Sequence, residues 1–440
     1  MLGILLGLIL LVFLSYRGYS IIWVAPLSAL VVALFGFGFD GSKLLDAYVI
    51  NYMGSLAGFT QAWFPLFFLG AVFGKLMDLT GSARSVAQLL VKIIGAKRAL
   101  LSVIVSCAVL TYGGVSLFVV VFAIYPLALS LFREANLPRR LIPGAIALGA
   151  FTFTMTAFPG SPQLNNIIAG KYFHTTPYAA PLLGIIAGLI MFGVGYLYLL
   201  WRQKKLVGLG EHFTEPEHQA PQAHKELPNP YISTVPLFVV LFSLYFLSKS
   251  GVAITPATIL SLLFGNLTVM LLHLKKAKSF IVALNEGGNG AVIAILNTAA
   301  AVGFGGVVKV VPGFQTLTHM LLNIKASPLI SEALAITLLA GATGSSSGGM
   351  GIALEALAPQ YIQIAAEQGI NIQVFHRIAT IASGGLDTFP HCGAVLTLLA
   401  VTKMTHKDSY NDIGMVTCVI PILALIDCGN NLRNVRCSVI

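Results

Sequence analysis

Landmark residues in the first half of this chain return in the second half, in the same order and at a nearly constant distance. Pro26 and Phe35-Gly36 are echoed by Pro256 and Phe264-Gly265, Phe73-Gly74 by Phe304-Gly305, and Gly81 by Gly313. Pro126 is echoed by Pro359 and Phe158-Pro159 by Phe389-Pro390, so the spacing stays between 229 residues (Phe35 to Phe264) and 233 (Pro126 to Pro359). Each match alone is weak, because Gly, Pro and Phe are abundant here. Shared order and shared spacing make the set strong. A duplicated apolar half, interrupted by Gly and Pro at matching depths, is the pattern of a secondary transporter.

The second copy fixes the class only because the chain is so apolar. Of 440 residues 57% are hydrophobic and 10% charged, with a mean hydropathy of +0.86, beyond the range of a soluble domain. Uncharged runs at 21–38, 99–132, 141–170, 178–201, 231–248 and 252–272 approach or exceed the roughly 20 residues that cross a bilayer. The first run, 2–16, has no basic segment before it and no A-x-A site after it, so it reads as a retained helix rather than a signal peptide. The net charge of +10 sits in short loops, where it sets orientation, and forms no basic face with interleaved aromatics, which argues against a nucleic-acid partner. Five cysteines form no C-x-x-C pair, and the His spacing in 202–230 fits no compact ligand set, so neither a metal nor another cofactor is expected. That polar stretch reads as a linker, cytoplasmic by its charge, joining membrane repeats at 1–201 and 231–440.

Loop charge orients the repeats. Residues 84–98 carry Arg84, Lys92, Lys97 and Arg98, whereas the equivalent 314–329 carry only Lys325. Residues 133–140 carry Arg133, Arg139 and Arg140, and the matching 367–373 carry none. Between the second and third runs the bias reverses: Lys43 stands alone in one half against Lys275, Lys276 and Lys278 in the other. Basic loops favour the cytoplasm, so equivalent loops lie on opposite faces. The expected fold is therefore an all-α polytopic membrane protein of two inverted-topology repeats, each with a helical hairpin and a broken transmembrane helix.

The hairpins follow from length. The 34 uncharged residues 99–132 would make one helix about 51 Å long at 1.5 Å per residue, against a hydrocarbon core of about 30 Å. Such a run must break, and Gly113-Gly114 is the natural place; its counterpart, 333–366, breaks at Gly344–Gly349. Arms that cross fully give seven spans per half, and arms that only dip in give five spans and a re-entrant hairpin.

Four polar, helix-breaking clusters fall at matched places in the two halves. They supply Gly113, Gly114 and Ser116; Thr156, Ser161, Gln163 and Asn165; Ser345, Ser346, Ser347 and Gly348; and Ser383, Gly384, Gly385 and Thr388. Broken backbone at membrane depth is tolerated only when buried in protein or facing a watery cavity, and half-helix N-termini there suit a carboxylate. These residues are the expected substrate site; the alternative is close helix packing with hydroxyls bonded back to carbonyls. Asp387 and His391, four apart around Phe389-Pro390, are ionisable groups within an apolar segment and read as proton-coupling residues or as a satisfied buried pair. Glu355 stands between the same two roles, and Lys309 either pairs with a carboxylate or reaches for the surface.

The stretch Ser383-Gly-Gly-Leu-Asp-Thr-Phe-Pro-His-Cys-Gly-Ala-Val395, continuing to Thr405-His-Lys-Asp-Ser-Tyr410, resembles the gluconate permease (GntP) family of the ion transporter superfamily, nearest its hydroxybutyrate permease-like branch. The resemblance implies a bacterial inner-membrane, multi-pass symporter that takes up small hydroxy or sugar acids with protons. It also implies inverted repeats, elevator-like movement and a homodimer, with the hairpin Ser/Gly residues and the unwound 383–391 segment lining the site. The last apolar run, 413–426, ends at Asp427 sooner than the family pattern leads one to expect.

The leading expectation is proton-coupled symport of a short monocarboxylate such as 3-hydroxybutyrate, gluconate or glycerate, with sodium a second coupling ion to consider. A cation/proton antiporter using Asp387 and Glu355 is the competing transport class. An intramembrane enzyme is disfavoured, because the chain has no H-E-x-x-H, no G-x-S-x-G and no ligand cluster.

Overall fold

In the computed structural model the protein is built of helices, and the structure describes residues 2–17, 19–95, 98–215, 227–314, 316, 327–390 and 392–434. The first half runs through Leu2–Tyr16 and Ile21–Phe37 to a long helix, Gly41–Leu79, which holds a π turn at Ala47–Tyr52. The amphipathic helix Ser82–Ile94 leads to hairpin one, whose arms are Ala99–Tyr112 and Leu117–Glu134. A broken helix follows as Ile142–Ala150, the single turn Phe153–Thr156 and Leu164–Phe173, and Pro181–Gly208 closes the half. The second half repeats the series: Pro230–Lys249, Ile254–Leu272, a second long helix Leu274–Val310, and hairpin two from Pro328–Thr343 and Ser346–Gln368. Its broken helix is Ile372–Ser383 and Gly393–Thr402. Among the described residues six helices are long and apolar enough to cross a membrane.

The two long helices lie side by side and run antiparallel. A Cβ on Gly287 would press on Val72, and one on Gly303 would press on Tyr52. Val72 and Gly303 are each other's repeat positions to within a residue, so the two equivalent helices cross about a two-fold axis perpendicular to them. A helix pair that spans a bilayer puts such an axis in the membrane plane, which is the geometry of an inverted repeat.

The first arm of each hairpin, before its turn, is too short to cross the hydrocarbon core by itself. The first arm of hairpin one has 14 residues and is about 21 Å long, short of the core thickness of about 30 Å. Gly114 makes that turn at φ +95° and Gly344 makes the other at φ +59°, both in the region a side chain disfavours. Hairpin two is interrupted over less chain than expected: Ser346 to Gly349 already belong to its second arm, because the Ser345 hydroxyl caps the Gly348 amide at 3.1 Å. Gly349 is held there by close approach, since a Cβ would strike the backbone of Ala340.

Two other expectations change. Past the end of the apolar run at Asp427 the final helix continues: it runs from His406–Gly414 through a π turn into Ile420–Asn434. Residues 202–208 of the polar stretch continue the helix Pro181–Gly208, and Arg202 there pairs at 2.9 Å with fully buried Asp412. Residues 216–226 of the linker, and Lys97 and Lys325 among the loop charges, lie outside the described residues.

One face of the molecule gathers the basic loops. Lys276 Nζ donates to the Thr80 carbonyl at 2.7 Å, Ser82 meets His273 at 2.9 Å, and Ser85 donates to Pro228 O in the linker. From the base of hairpin one, Arg133 binds Glu215 through two nitrogens, and Arg140 donates to Asp408 O. The ends of both long helices, the base of hairpin one and the linker therefore share a face.

Candidate functional site

Each hairpin packs on the broken helix of its own half. Gln163 Nε2 donates to Thr111 O at 2.6 Å and Tyr112 Oη to Pro159 O at 2.7 Å; Thr337 Oγ1 donates to Ala382 O at 3.0 Å in the second half. The breaks also grip each other across the repeat boundary. Asn165 Nδ2 donates to Ser383 Oγ at 2.7 Å, and a Cβ on Gly384 would press on Thr156.

Sequence reasoning missed the group that ties this junction together. Arg377 is fully buried and donates to the carbonyls of Ala157, in the first break, and of Pro177 and Ala179, beyond its last helical piece; Pro177 O also accepts from Gly160 N and Asn166 Nδ2. Beside it, His376 Nε2 meets Asn166 Oδ1 at 2.8 Å and Nδ1 meets Thr175 Oγ1 at 2.6 Å. A second-half helix thus satisfies the irregular backbone of the first half, as burial without water requires.

Between the tips and breaks lies a cavity of about 730 Å³. The starts of four half-helices open onto it: Ser116-Leu117, Leu164-Asn165, Ser346-Ser347 and Gly393-Ala394. A helix start exposes unpaired N–H groups and the positive end of the dipole. One carboxyl stands among them. Asp387 is 6% exposed and borders the cavity; the Ser346 hydroxyl and Thr388 amide bear on it, while its Oδ1 has no hydrogen-bond partner among the described residues.

Of the residues singled out in the sequence, Gly114, Ser116, Gln163, Asn165, Ser345, Ser346, Ser347, Asp387 and Thr388 border this cavity. Thr388 turns its hydroxyl away, to Thr417 at 2.6 Å. The others sit behind the wall. Gly113 packs on Leu237, Thr156 bonds back to Thr152 O, fully buried Ser161 faces the Gln163 amide, and Gly348 serves the Ser345 cap. Ser383 accepts from Asn165, and Gly384 and Gly385 pack on Thr156 and Thr337.

Glu355 is not the lone buried carboxylate the sequence suggested. It is 42% exposed, accepts from Tyr172 Oη at 2.8 Å, and pairs with Lys309 at 3.7 Å, away from the cavity wall. His391 lies outside the described residues. Also unforeseen on the wall are Asn297 and Thr298 of the second long helix and the Lys75–Glu286 ion pair; a polar Asn-Thr step inside an apolar helix was the available signal for the first two. Among the described residues no group of three His, Cys, Asp or Glu gathers to hold a metal.

The cavity therefore offers helix starts and neutral hydrogen-bond donors around the Asp387 carboxyl, with the Lys75–Glu286 ion pair also on its wall, and helix starts of this kind suit a small anion. No protein-family model matches the chain. The uncharacterized transporter YxjC of Bacillus subtilis is 42% identical over 94% of this chain and 95% of its own length. An uncharacterized permease of Haemophilus influenzae is 26% identical over 87% of this chain and 81% of its own. The Alcanivorax borkumensis YdaH transporter, 15% identical, shares the fold with a TM-score of 0.50 over 90% of this chain and 89% of its own. Identity at that level across nearly the full length, on a helical membrane scaffold, makes the chain a member of the membrane transporter family of YxjC.

Proposed function

We propose that this transporter carries a small organic monocarboxylate together with a proton, in the manner the gluconate permease resemblance implies. The observation that carries the reading is the meeting of four helix starts around a single buried carboxyl, Asp387, whose Oδ1 is unpartnered. The amides supply an anion site. Two carboxylates within such a site repel, at about 4 kcal/mol for charges 4 Å apart at an effective dielectric of 20. Binding of the substrate anion is therefore favoured when Asp387 holds a proton, and release of one promotes release of the other. That is co-transport by mutual charge compensation. Gln163, Ser116 and Ser347 add neutral donors that match the hydroxyls of a hydroxy acid. The bacterial inner membrane, with the basic face inward, is the setting that the loop charges favour.

Uptake into proteoliposomes under an imposed pH gradient tests this, with labelled 3-hydroxybutyrate, gluconate and glycerate compared in parallel. Accumulation of one of them that collapses when a protonophore abolishes the gradient is the expected result. Sodium-driven or gradient-independent accumulation removes the proton, and absence of uptake for all three removes the substrate class.

A further inference from the structure

We infer that the Lys75–Glu286 ion pair is a charge-selecting gate at the mouth of the cavity, which admits monoanions by exchange of carboxylates on Lys75. This deepens the anion-transport reading above and rests on it for the identity of the cargo. Lys75 Nζ and Glu286 Oε2 are 2.7 Å apart, both border the cavity, and their side chains are 30% and 52% exposed. Lys75 lies one turn before the end of its long helix, next to Thr80 and the basic loops, so the pair stands at the end of the cavity nearest the basic face.

The two-fold relation of the long helices shows what is particular to this end. Glu286 and Gly306 are the repeat positions of Ser55 and Lys75. At the far end those counterparts, Ser55 and Gly306, meet so closely that a Cβ on Gly306 would overlap the Ser55 hydroxyl and crowd the Asn51 carbonyl. One end of the helix pair thus closes on a glycine contact, and the equivalent place at the other end holds two opposite charges beside an open volume. A partly exposed ion pair contributes little stability. Its chemistry suits exchange: an arriving carboxylate replaces Glu286 on Lys75 with no net change in pairing, a cation is held off by Lys75, and the second charge of a dianion meets Glu286.

Cys392 provides a native reporter, because it borders the cavity and is 5% exposed. Its modification in the purified full chain is followed by mass spectrometry with three methanethiosulfonates: one sulfonated, one bearing trimethylammonium, and one neutral to report access. Lys75→Gln is expected to lower the ratio of anionic to cationic rates about tenfold, and Glu286→Gln to raise it to a similar degree. Opposite shifts with an unchanged neutral rate support the gate. A pair that merely pins the helices changes all three rates together, and that result overturns the proposal, as does failure of the neutral reagent to reach Cys392. None of these readouts requires transport, so a protein that selects by charge yet accumulates no acid refutes the function proposed above and leaves the gate standing.

Discussion

The two broken helices occupy equivalent places in the two halves and differ in chemistry. In the first, the interruption between Ala150 and Leu164 carries no ionisable residue, and a guanidinium from the opposite half donates to its Ala157 carbonyl. In the second, the interruption between Ser383 and Gly393 carries Asp387, which borders the cavity and keeps its buried Oδ1 without a hydrogen-bond partner among the described residues. One break is a closed joint and the other an open one. The two halves repeat the broken helix, and only the second places a carboxyl in it among the described residues.

Several substitutions break or sharpen this contrast. Arg377→Gln acts on the closed joint and has the largest expected effect, because it removes the donor to the buried Ala157 and Ala179 carbonyls. Loss of hydrogen bonds to a buried charge predicts about 3 kcal/mol or more of destabilisation, read as a lowered thermal unfolding midpoint in detergent. Arg377→Lys fails as well, since an ammonium has no planar fork to reach all three acceptors. A stable Arg377→Gln protein means the first break satisfies its backbone by other means.

Asp387→Asn acts on the open joint. It is expected to leave folding intact and to remove gradient-driven accumulation, about tenfold for each unit of pH gradient per proton coupled, while exchange of internal for external substrate persists. Undiminished accumulation in that variant takes Asp387 out of the coupling role.

The Asn165–Ser383 contact links the two joints directly. A double-mutant cycle with Asn165→Ala and Ser383→Ala is expected to give a coupling energy of about 1 kcal/mol; an additive cycle means the breaks are independent. Ser345→Ala removes the cap on hairpin two and should cost about 1 kcal/mol, seen in the same unfolding assay. Smallest is Glu355→Gln, whose partly exposed pair with Lys309 predicts a change below about 1 kcal/mol and an unaltered dependence of uptake on pH.

Most of the scaffold was legible before any coordinates. Run lengths forced the hairpins, loop charges gave the inversion, and Asp387 stood out as a carboxyl in an apolar stretch. These are local properties, and one sequence carries them. The pairings across the repeats were hidden. Arg377 sits one residue outside the apolar run that drew attention to Asp387, and nothing near it in sequence reveals the carbonyls it serves, 198 to 220 residues away. Lys75 and Glu286 are far apart in sequence, and only the antiparallel crossing of their helices brings them together. Glycines failed for a related reason: Gly113 and Gly114 are adjacent, yet one packs on Leu237 while the other borders the cavity. Which way such a residue faces depends on neighbours that its own spacing cannot name.

The Ser55–Gly306 contact has a consequence for direction of travel. Should the Lys75–Glu286 pair act as the gate inferred above, cargo from one compartment meets two charges that cargo from the other, on the side of the Ser55–Gly306 contact, does not. Influx and efflux by this protein should then show different half-saturation concentrations and different sensitivity to ionic strength, a built-in rectification that arises from geometry rather than from the driving ion.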